Sequence, residues 1–521
     1  MTRTNANIAG AVWDAAARTP DRVALRDLSA GRDLTYTALR DAAGAFAAGL
    51  AEDGVRPGDR VALLLHNSCE YVVAFVGALA AGAVVVPLNT RLTVADFDHM
   101  LTDSGATLLV TETSFLADLR ARTTIDLPRL VDVTGRTDGV PSLEDVSRAS
   151  DLTPHHADAA DVCSLMYTSG TTGAPKAVML SHGAWSSVSD TASDLLGFPD
   201  GVAVMHPAPL THGAGFLFLP TVRSGGVNLL VRGYDAAQTA ELLRRGEAHG
   251  LFLVPSMIRM LLDVLPDDWS PHPDFRWLYY AGSPIDAPTF LEATRRFDAR
   301  LVQSFAQMEA PMFLTSLGSA EHRRAAELDD PTLARSAGRL IPGREIRVVD
   351  DHGADVPTGE VGEVWGRAPQ VMLGYWNRPE ATASTLDQGW LHTGDMGRVD
   401  EAGHLYLVDR VKDMIVTGGS NVYAREVEEV LVDAPGVGQA AVVGLPHRVW
   451  GEEVTAVVVL ADGARADEDE VLAFCRARLA GYKAPKRVVW VDALPRNAYG
   501  KVLKRQLRAD LQGPDGTASP A

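Results

Sequence analysis

Short β-branched runs alternate with helical patterns through the first half of the chain, and this alternation limits the fold more than any other feature. Residues 60–65 read as a buried strand, 71–81 as a helix, 83–87 as a strand, 94–101 as a helix and 107–111 as a strand. Strands separated by helices need crossover connections, so the spacing predicts mixed or parallel sheets with helices on their faces. The pattern continues at 226–231 and 251–254.

From Arg344 the texture changes. Strand signals crowd at 345–349, 362–365 and 404–408, with Gly-rich turns between them, which predicts a β-rich subdomain over about 340–409. A compact α+β unit follows: helix 424–432, strands 440–443 and 454–460, helix 467–479 and strand 488–491. The Gly/Ser/Pro-rich tail 513–521 reads as disordered. The expected class is α/β, with a large N-terminal domain of mixed sheets and a small, mobile α+β C-terminal domain. At 521 residues the chain is too long for one ordinary core, which agrees with that division.

Charge and cysteine usage narrow the partners. A net charge of −19 argues against nucleic acid or an anionic membrane. Against that background, residues 481–508 form a basic island holding Lys483, Lys486, Arg487, Arg496, Lys501, Lys504, Arg505 and Arg508, with Asp492 as its one acid. Such an island suits a small polyanion such as a nucleotide. Cys69, Cys163 and Cys475 have no pairing pattern, which fits a reducing cytoplasm. The N-terminus has no apolar h-region, and no apolar stretch is long enough to span a bilayer.

Lysine occurs at only six positions: 176, 412, 483, 486, 501 and 504. Where a composition this rich in arginine keeps lysine, a compact ammonium is the candidate requirement. Lys176 closes the loop Tyr167-Thr-Ser-Gly-Thr-Thr-Gly-Ala-Pro-Lys176. Gly170 and Gly173 let backbone N–H groups approach phosphate oxygens. Thr168, Ser169, Thr171 and Thr172 add hydroxyl donors, and Lys176 adds charge. The loop is not a Walker A motif, because Pro175 and Ala177 stand where that motif needs Gly and Ser/Thr.

Four later segments extend the pattern: Gln303-Ser-Phe-Ala-Gln-Met-Glu309, Gly389-Trp-Leu-His-Thr-Gly-Asp395, Asp409-Arg-Val-Lys-Asp-Met-Ile-Val-Thr-Gly-Gly419 and Pro495-Arg-Asn-Ala-Tyr-Gly-Lys501. With the loop, in this order, they resemble the adenylate-forming superfamily of acyl-CoA synthetases, luciferases and peptide-synthetase adenylation domains. The likeness covers all but the tail.

The resemblance implies roles residue by residue. Lys501, Glu309, Lys176 and His212 form the candidate catalytic set, with Glu309 holding Mg²⁺ and His212 walling the acyl pocket. Phe305 would stack on adenine, Asp395 and Arg410 would take the ribose, and Gly282, Ser283, Gln303 and Met308 join the nucleotide-binding candidates. Lys412 would mark a hinge at 410–413 between a domain of residues 1–409 and a lid of 414–512. Gly418 and Gly419 would line a thiol channel, and Trp450 would contact the CoA nucleotide.

Several positions depart from the family pattern. Met308 replaces a Thr, Ser304 and Ala306 replace glycines, Ala177 replaces a Gly and Ala424 a Pro. The additions at 304 and 306 are expected to narrow or reshape the acyl pocket, while Gly213, Ala214 and Gly215 are expected to leave space near His212.

The implied activity is ATP-dependent activation of a carboxylic acid, aryl or medium acyl, as acyl-AMP, followed by transfer to CoA. The alternative keeps adenylation and changes the acceptor, as in a carrier-protein ligase or a nitrite-activating diazotase. A non-enzymatic nucleotide-binding relative is disfavoured because Glu309, Asp395 and Lys501 are all present. The expected assembly is a cytoplasmic monomer or homodimer.

Overall fold

The computed structural model describes residues 5–149, 151–168, 175–496 and 502–512. The fold is mixed α/β, with two compact units. The first contains residues 5–168, 175–346 and 366–391; the second contains 347–365 and the described residues from 392 onward.

In the first unit, one sheet runs Gly374–Tyr375, Ala177–Ser181, Val162–Tyr167, Val84–Pro87, Arg60–Leu64, Leu108–Thr111, Arg129–Asp132. Its centre is parallel, with Val61 opposite both Val85 and Leu108. The helix Cys69–Ala80 makes the crossover between Arg60–Leu64 and Val84–Pro87. Ser68 caps it by accepting the Tyr71 N–H, and nearly every side chain on it is buried, as expected of a helix apolar on all sides. The helix Val94–Ser104 starts in a capping box between Thr93 and Asp96 and stops at Gly105, whose φ of 62° is left-handed.

A second sheet of this unit runs Ser336–Leu340, Ala310–Leu317, Leu301–Gln307, Trp277–Tyr280, Gly250–Leu253, Ala203–His206, Val227–Leu230, Val23–Asp27, Arg32–Thr35. It is parallel from Leu301–Gln307 to Val23–Asp27 and antiparallel at both ends.

The second unit carries an antiparallel ladder from Asp395 to Val399 against Leu405 to Arg410. It also holds a sheet ordered Ser420–Val422, Ile415–Thr417, Gly451–Leu460, Val437–His447, with Arg487–Trp490 parallel to Gly451–Leu460. Both faces of that sheet are covered. Val442, Val454, Ala456 and Val458 pack with Val427, Leu431, Val471 and Leu472 of the helices Ala424–Val432 and Glu468–Arg476. Ala441, Val443, Leu445 and Val457 face Leu494 and Leu507 instead. The period of two in a strand, with cover on both sides, explains the run at 454–460, apolar but for the buried Thr455.

The predicted elements form within a few residues of their expected bounds. Among the described residues, no helix is long and apolar enough to cross a membrane.

Candidate functional site

Lys176 leads into the second strand of an antiparallel pair. Val162–Tyr167 and Ala177–Ser181 pair antiparallel, with Tyr167 opposite Ala177, and the Thr168 N–H donates to the Lys176 carbonyl at 3.0 Å. This places Thr168 and Lys176 side by side at the end of that pair. The candidates Ser169, Gly170, Thr171, Thr172 and Gly173 lie outside the described residues. The Tyr167 hydroxyl anchors the pair by donating to Asp103 at 2.9 Å, and Arg378 bonds the other oxygen of Asp103 at 2.6 Å.

Lys176 and Glu309 meet on a residue that the sequence did not single out. The Lys176 ammonium lies 4.0 Å from the centre of the Tyr375 ring. The Tyr375 hydroxyl donates to Glu309 Oε1 at 2.7 Å. Glu309 is buried, and its carbonyl accepts the Met372 N–H at 2.8 Å. Among the described residues no cluster of three His, Cys, Asp or Glu side chains could hold a metal by itself. A single carboxylate would fit only a cation that takes its other ligands elsewhere, as Mg²⁺ does from substrate phosphates and water.

Glu309 follows the strand Leu301–Gln307, which pairs with Ala310–Leu317. Phe305 is 7 % exposed, so most of its ring is packed. The Gln303 side chain is half-buried, and its Oε1 has no hydrogen-bond partner among the described residues, so it can accept from a ligand. Met308 is half-buried. Gly282 has φ 92°, and Gly282 and Ser283 are exposed.

Ser304, expected to narrow or reshape the acyl pocket, turns its hydroxyl into the core. It lies 2.5 Å from the Tyr279 hydroxyl and donates to the carbonyl of Met312, whose φ is 70°. Ala306 is half-buried.

His212 precedes the short 3-10 helix Gly213–Leu217, and its carbonyl accepts the Gly215 N–H at 2.8 Å. The small residues after it leave less room than expected. Ala214 is fully buried, and a Cβ on Gly215 would stand 2.1 Å from the Leu210 carbonyl oxygen. A Cβ on Gly213 would lie 3.3 Å from the Phe252 ring. These residues are small because the chain passes close to itself. Asn67 fixes that path: its amide nitrogen donates to the His206 and Ala208 carbonyls, and its oxygen accepts from the Leu210 N–H.

In the second unit Asp395 stands directly opposite Arg410 in the ladder, and Arg410 Nε reaches Asp395 Oδ1 at 2.6 Å. The Asp395 side chain is 8 % exposed and Arg410 is 38 % exposed. The Asp395 N–H donates to the Thr393 hydroxyl, which donates to the Val364 carbonyl. Next to Arg410, burial pushes the Asp409 carboxyl up, and the nearby Lys504 charge opposes that rise.

Lys412 lies in the 3-10 turn Val411–Asp413, and Asp413 faces Arg508 at 3.5 Å. Gly418 and Gly419, at φ 58° and 79°, form the two-residue turn between Ile415–Thr417 and Ser420–Val422, a turn that requires positive φ at both positions. The Gly418 N–H donates to the Trp450 carbonyl at 2.8 Å. A Cβ on Gly418 would lie 3.1 Å from the Trp450 ring, which is 53 % exposed. Lys501 lies outside the described residues.

The structure therefore gathers Lys176 and Glu309 in one unit, and Asp395 with Arg410 and Gly418 with Trp450 in the other. Tyr375, Asn67 and Thr393 are the residues that sequence reasoning missed. A Gly-Tyr-Trp run at 374–376 is the one sequence signal that could have drawn attention to Tyr375.

Known proteins match this arrangement along most of its length. A family model described as AMP-binding enzyme matches residues 12–376, and one described as AMP-binding enzyme C-terminal domain matches 426–501. A feruloyl-CoA synthase from Amycolatopsis is 39% identical, covering 92% of this chain and 94% of its own. A long-chain-fatty-acid–CoA ligase, FadD13, from Mycobacterium tuberculosis is 35% identical, covering 91% and 92%. The solved structure of the amide bond synthetase McbA from Marinactinospora thermotolerans is similar with a TM-score of 0.85 and 32% identity, covering 96% and 99%.

Proposed function

Because the chain belongs to the adenylate-forming superfamily of AMP-binding enzymes, we propose that it is an AMP-forming acid–CoA ligase acting on an aryl or medium acyl acid. The family match across both domains carries this reading; in the first unit Lys176 and Glu309 both contact Tyr375.

In the first half-reaction a carboxylate oxygen of the acid attacks the α-phosphorus of ATP, and pyrophosphate leaves. Thr168, Lys176 and the loop at 169–173 hold the phosphates. Lys501 meets the charge that develops on the α-phosphate, where a fixed cation acts most strongly. A Mg²⁺ bound by Glu309 would neutralise phosphate charge. Phe305, Gln303, Gly282, Ser283 and Met308 border the nucleotide, and Asp395 with Arg410 receives the ribose hydroxyls. In the second half-reaction the CoA thiolate attacks the acyl carbonyl and AMP leaves. A swing at 410–413 of residues 414–512 against 1–409 would bring Gly418, Gly419 and Trp450 to the thiol and nucleotide of CoA. Likeness to the feruloyl-CoA synthase supports an aryl acid beside His212. A cytoplasmic location is part of this reading, supported by three cysteines that are all free and buried, and a monomer or homodimer is its expected assembly.

A second reading keeps adenylation and gives the acyl group to another nucleophile, such as an amine or a carrier-protein thiol. Likeness to the amide bond synthetase favours it. The test is acid-dependent ATP–pyrophosphate exchange over aryl, medium-chain and long-chain acids, with nitrite separately, followed by CoA or an amine. Exchange with thioester release supports the ligase. Exchange with amide and no thioester installs the second reading, and no exchange with any acid removes both.

A further inference from the structure

The 372–376 segment touches both halves of the phosphate-handling machinery. Met372 N–H holds the Glu309 carbonyl at 2.8 Å. Gly374 and Tyr375 pair with Met179 and Val178 on the strand that follows Lys176, and the Trp376 N–H donates to the Ala177 carbonyl at 2.9 Å. The segment has little freedom. Gly374 has φ 140°, and a Cβ there would stand 2.7 Å from Thr382. The Thr382 hydroxyl in turn accepts the Tyr375 N–H at 2.9 Å. Tyr375 is 5 % exposed, so its ring and hydroxyl are fixed by packing.

Two contacts of this one side chain reach Lys176 and Glu309. The ring face carries the Lys176 ammonium at 4.0 Å, within the range where the ring quadrupole attracts a cation. The hydroxyl donates to Glu309 Oε1 at 2.7 Å. A phenol is a neutral donor, so this bond fixes the carboxylate rotamer without cancelling its charge. A lysine bonded straight to Glu309 would neutralise the pair. The tyrosine instead keeps a cation and an anion apart and oriented, each with its charge available to a ligand.

We propose that Tyr375 is a positioning residue for nucleotide activation: its hydroxyl sets the metal affinity of Glu309, and its ring sets the place of the Lys176 ammonium. The proposal rests on the ligase reading above, through the assignment of Glu309 to a metal and Lys176 to phosphate.

The experiment is a Mg²⁺ titration of acid-dependent pyrophosphate exchange at saturating ATP, with full-length wild type, Tyr375→Phe and Tyr375→Leu. Tyr375→Phe should raise the half-saturating Mg²⁺ concentration about tenfold, the size expected when a carboxylate loses one hydrogen bond. Its kcat at saturating Mg²⁺ should stay within about threefold of wild type, since binding and not the transition state is altered. Tyr375→Leu should add a rise of several-fold in the KM for ATP. In a Glu309→Gln background Tyr375→Phe should no longer change the Mg²⁺ requirement, because the two act as one unit.

An unchanged Mg²⁺ requirement in Tyr375→Phe overturns the proposal, as does a shift that persists undiminished in Glu309→Gln. Should Tyr375→Phe not fold, 4-fluorophenylalanine at 375 fills the space of the hydroxyl without donating. The half-saturating Mg²⁺ concentration should then rise as for Tyr375→Phe, and an unchanged one overturns the proposal. If wild type shows no acid-dependent exchange, the ligase reading falls and takes this proposal with it. If wild type exchanges and the Tyr375 variants match it, only the tyrosine's role falls.

Discussion

Two buried carboxylates in this molecule receive opposite treatment. Glu309, in the first unit, accepts from a phenol. Asp395, in the second, accepts from a guanidinium at 2.6 Å. A neutral donor orients a carboxylate and leaves its charge for a ligand, whereas a cation at hydrogen-bond distance orients it and cancels the charge. On the proposed reading, Glu309 would serve a cation and Asp395 neutral hydroxyl donors. One functional group would then serve two ligand chemistries, the difference lying in the residue beside it.

The largest effect should come from removing the charge that was left available. Glu309→Gln can still accept from Tyr375, so that hydrogen bond survives and melting should move by no more than a few degrees, the scale of about 1 kcal/mol. Mg²⁺-dependent pyrophosphate exchange should fall about 100- to 1000-fold. A variant with normal rate and metal dependence would break the comparison at Glu309.

At Asp395 the expected loss is smaller and of a different kind. Asp395→Asn should raise the KM for ATP about tenfold, the scale of hydrogen bonds to a charged acceptor, with a lesser effect on kcat. A shift in Mg²⁺ requirement in place of ATP KM would mean that the two carboxylates share one role.

Much of this arrangement is legible in the amino-acid sequence. The strands Arg60–Leu64, Val84–Pro87 and Leu108–Thr111 stand out because burial on both faces makes them continuous apolar runs. The helix Ala424–Val432 forms over the predicted residues because its apolar side repeats at helical spacing. Glu309, Asp395 and Lys176 are legible through their motifs. What stays hidden depends on tertiary register. Tyr375 and Glu309 are 66 residues apart, and no local pattern brings them together. The pairing of Asp395 with Arg410 needs the strand register. Gly215 reads as free space until the Leu210 carbonyl occupies it, and Ser304 reads as a pocket residue until its hydroxyl turns to Tyr279.

Arg410 sharpens the contrast through stability. Arg410→Met leaves a buried carboxylate without its cation, which in a deep site costs ~3–5 kcal/mol. Arg410 is 38 % exposed, so solvent reduces this to about 1–2 kcal/mol. Thermal melting should drop by a few degrees, and Asp395→Asn in the same chain should restore most of it. Additive losses in the double variant would show that the charge pair contributes little.

The smallest effect concerns Met308, half-buried beside Glu309. Met308→Thr should change adenylation of the preferred acid by no more than about threefold while altering the ranking of acids, as expected for a single pocket contact. An unchanged ranking across the acid panel removes Met308 from the specificity set.

The most direct test of the ligase assignment is a product balance with α-labelled ATP, the preferred acid, Mg²⁺ and CoA. AMP, pyrophosphate and acyl-CoA should appear in equal amounts, and omitting the acid should abolish all three. Labelled ADP, acid-independent ATP consumption, or AMP without thioester would contradict an AMP-forming acid–CoA ligase.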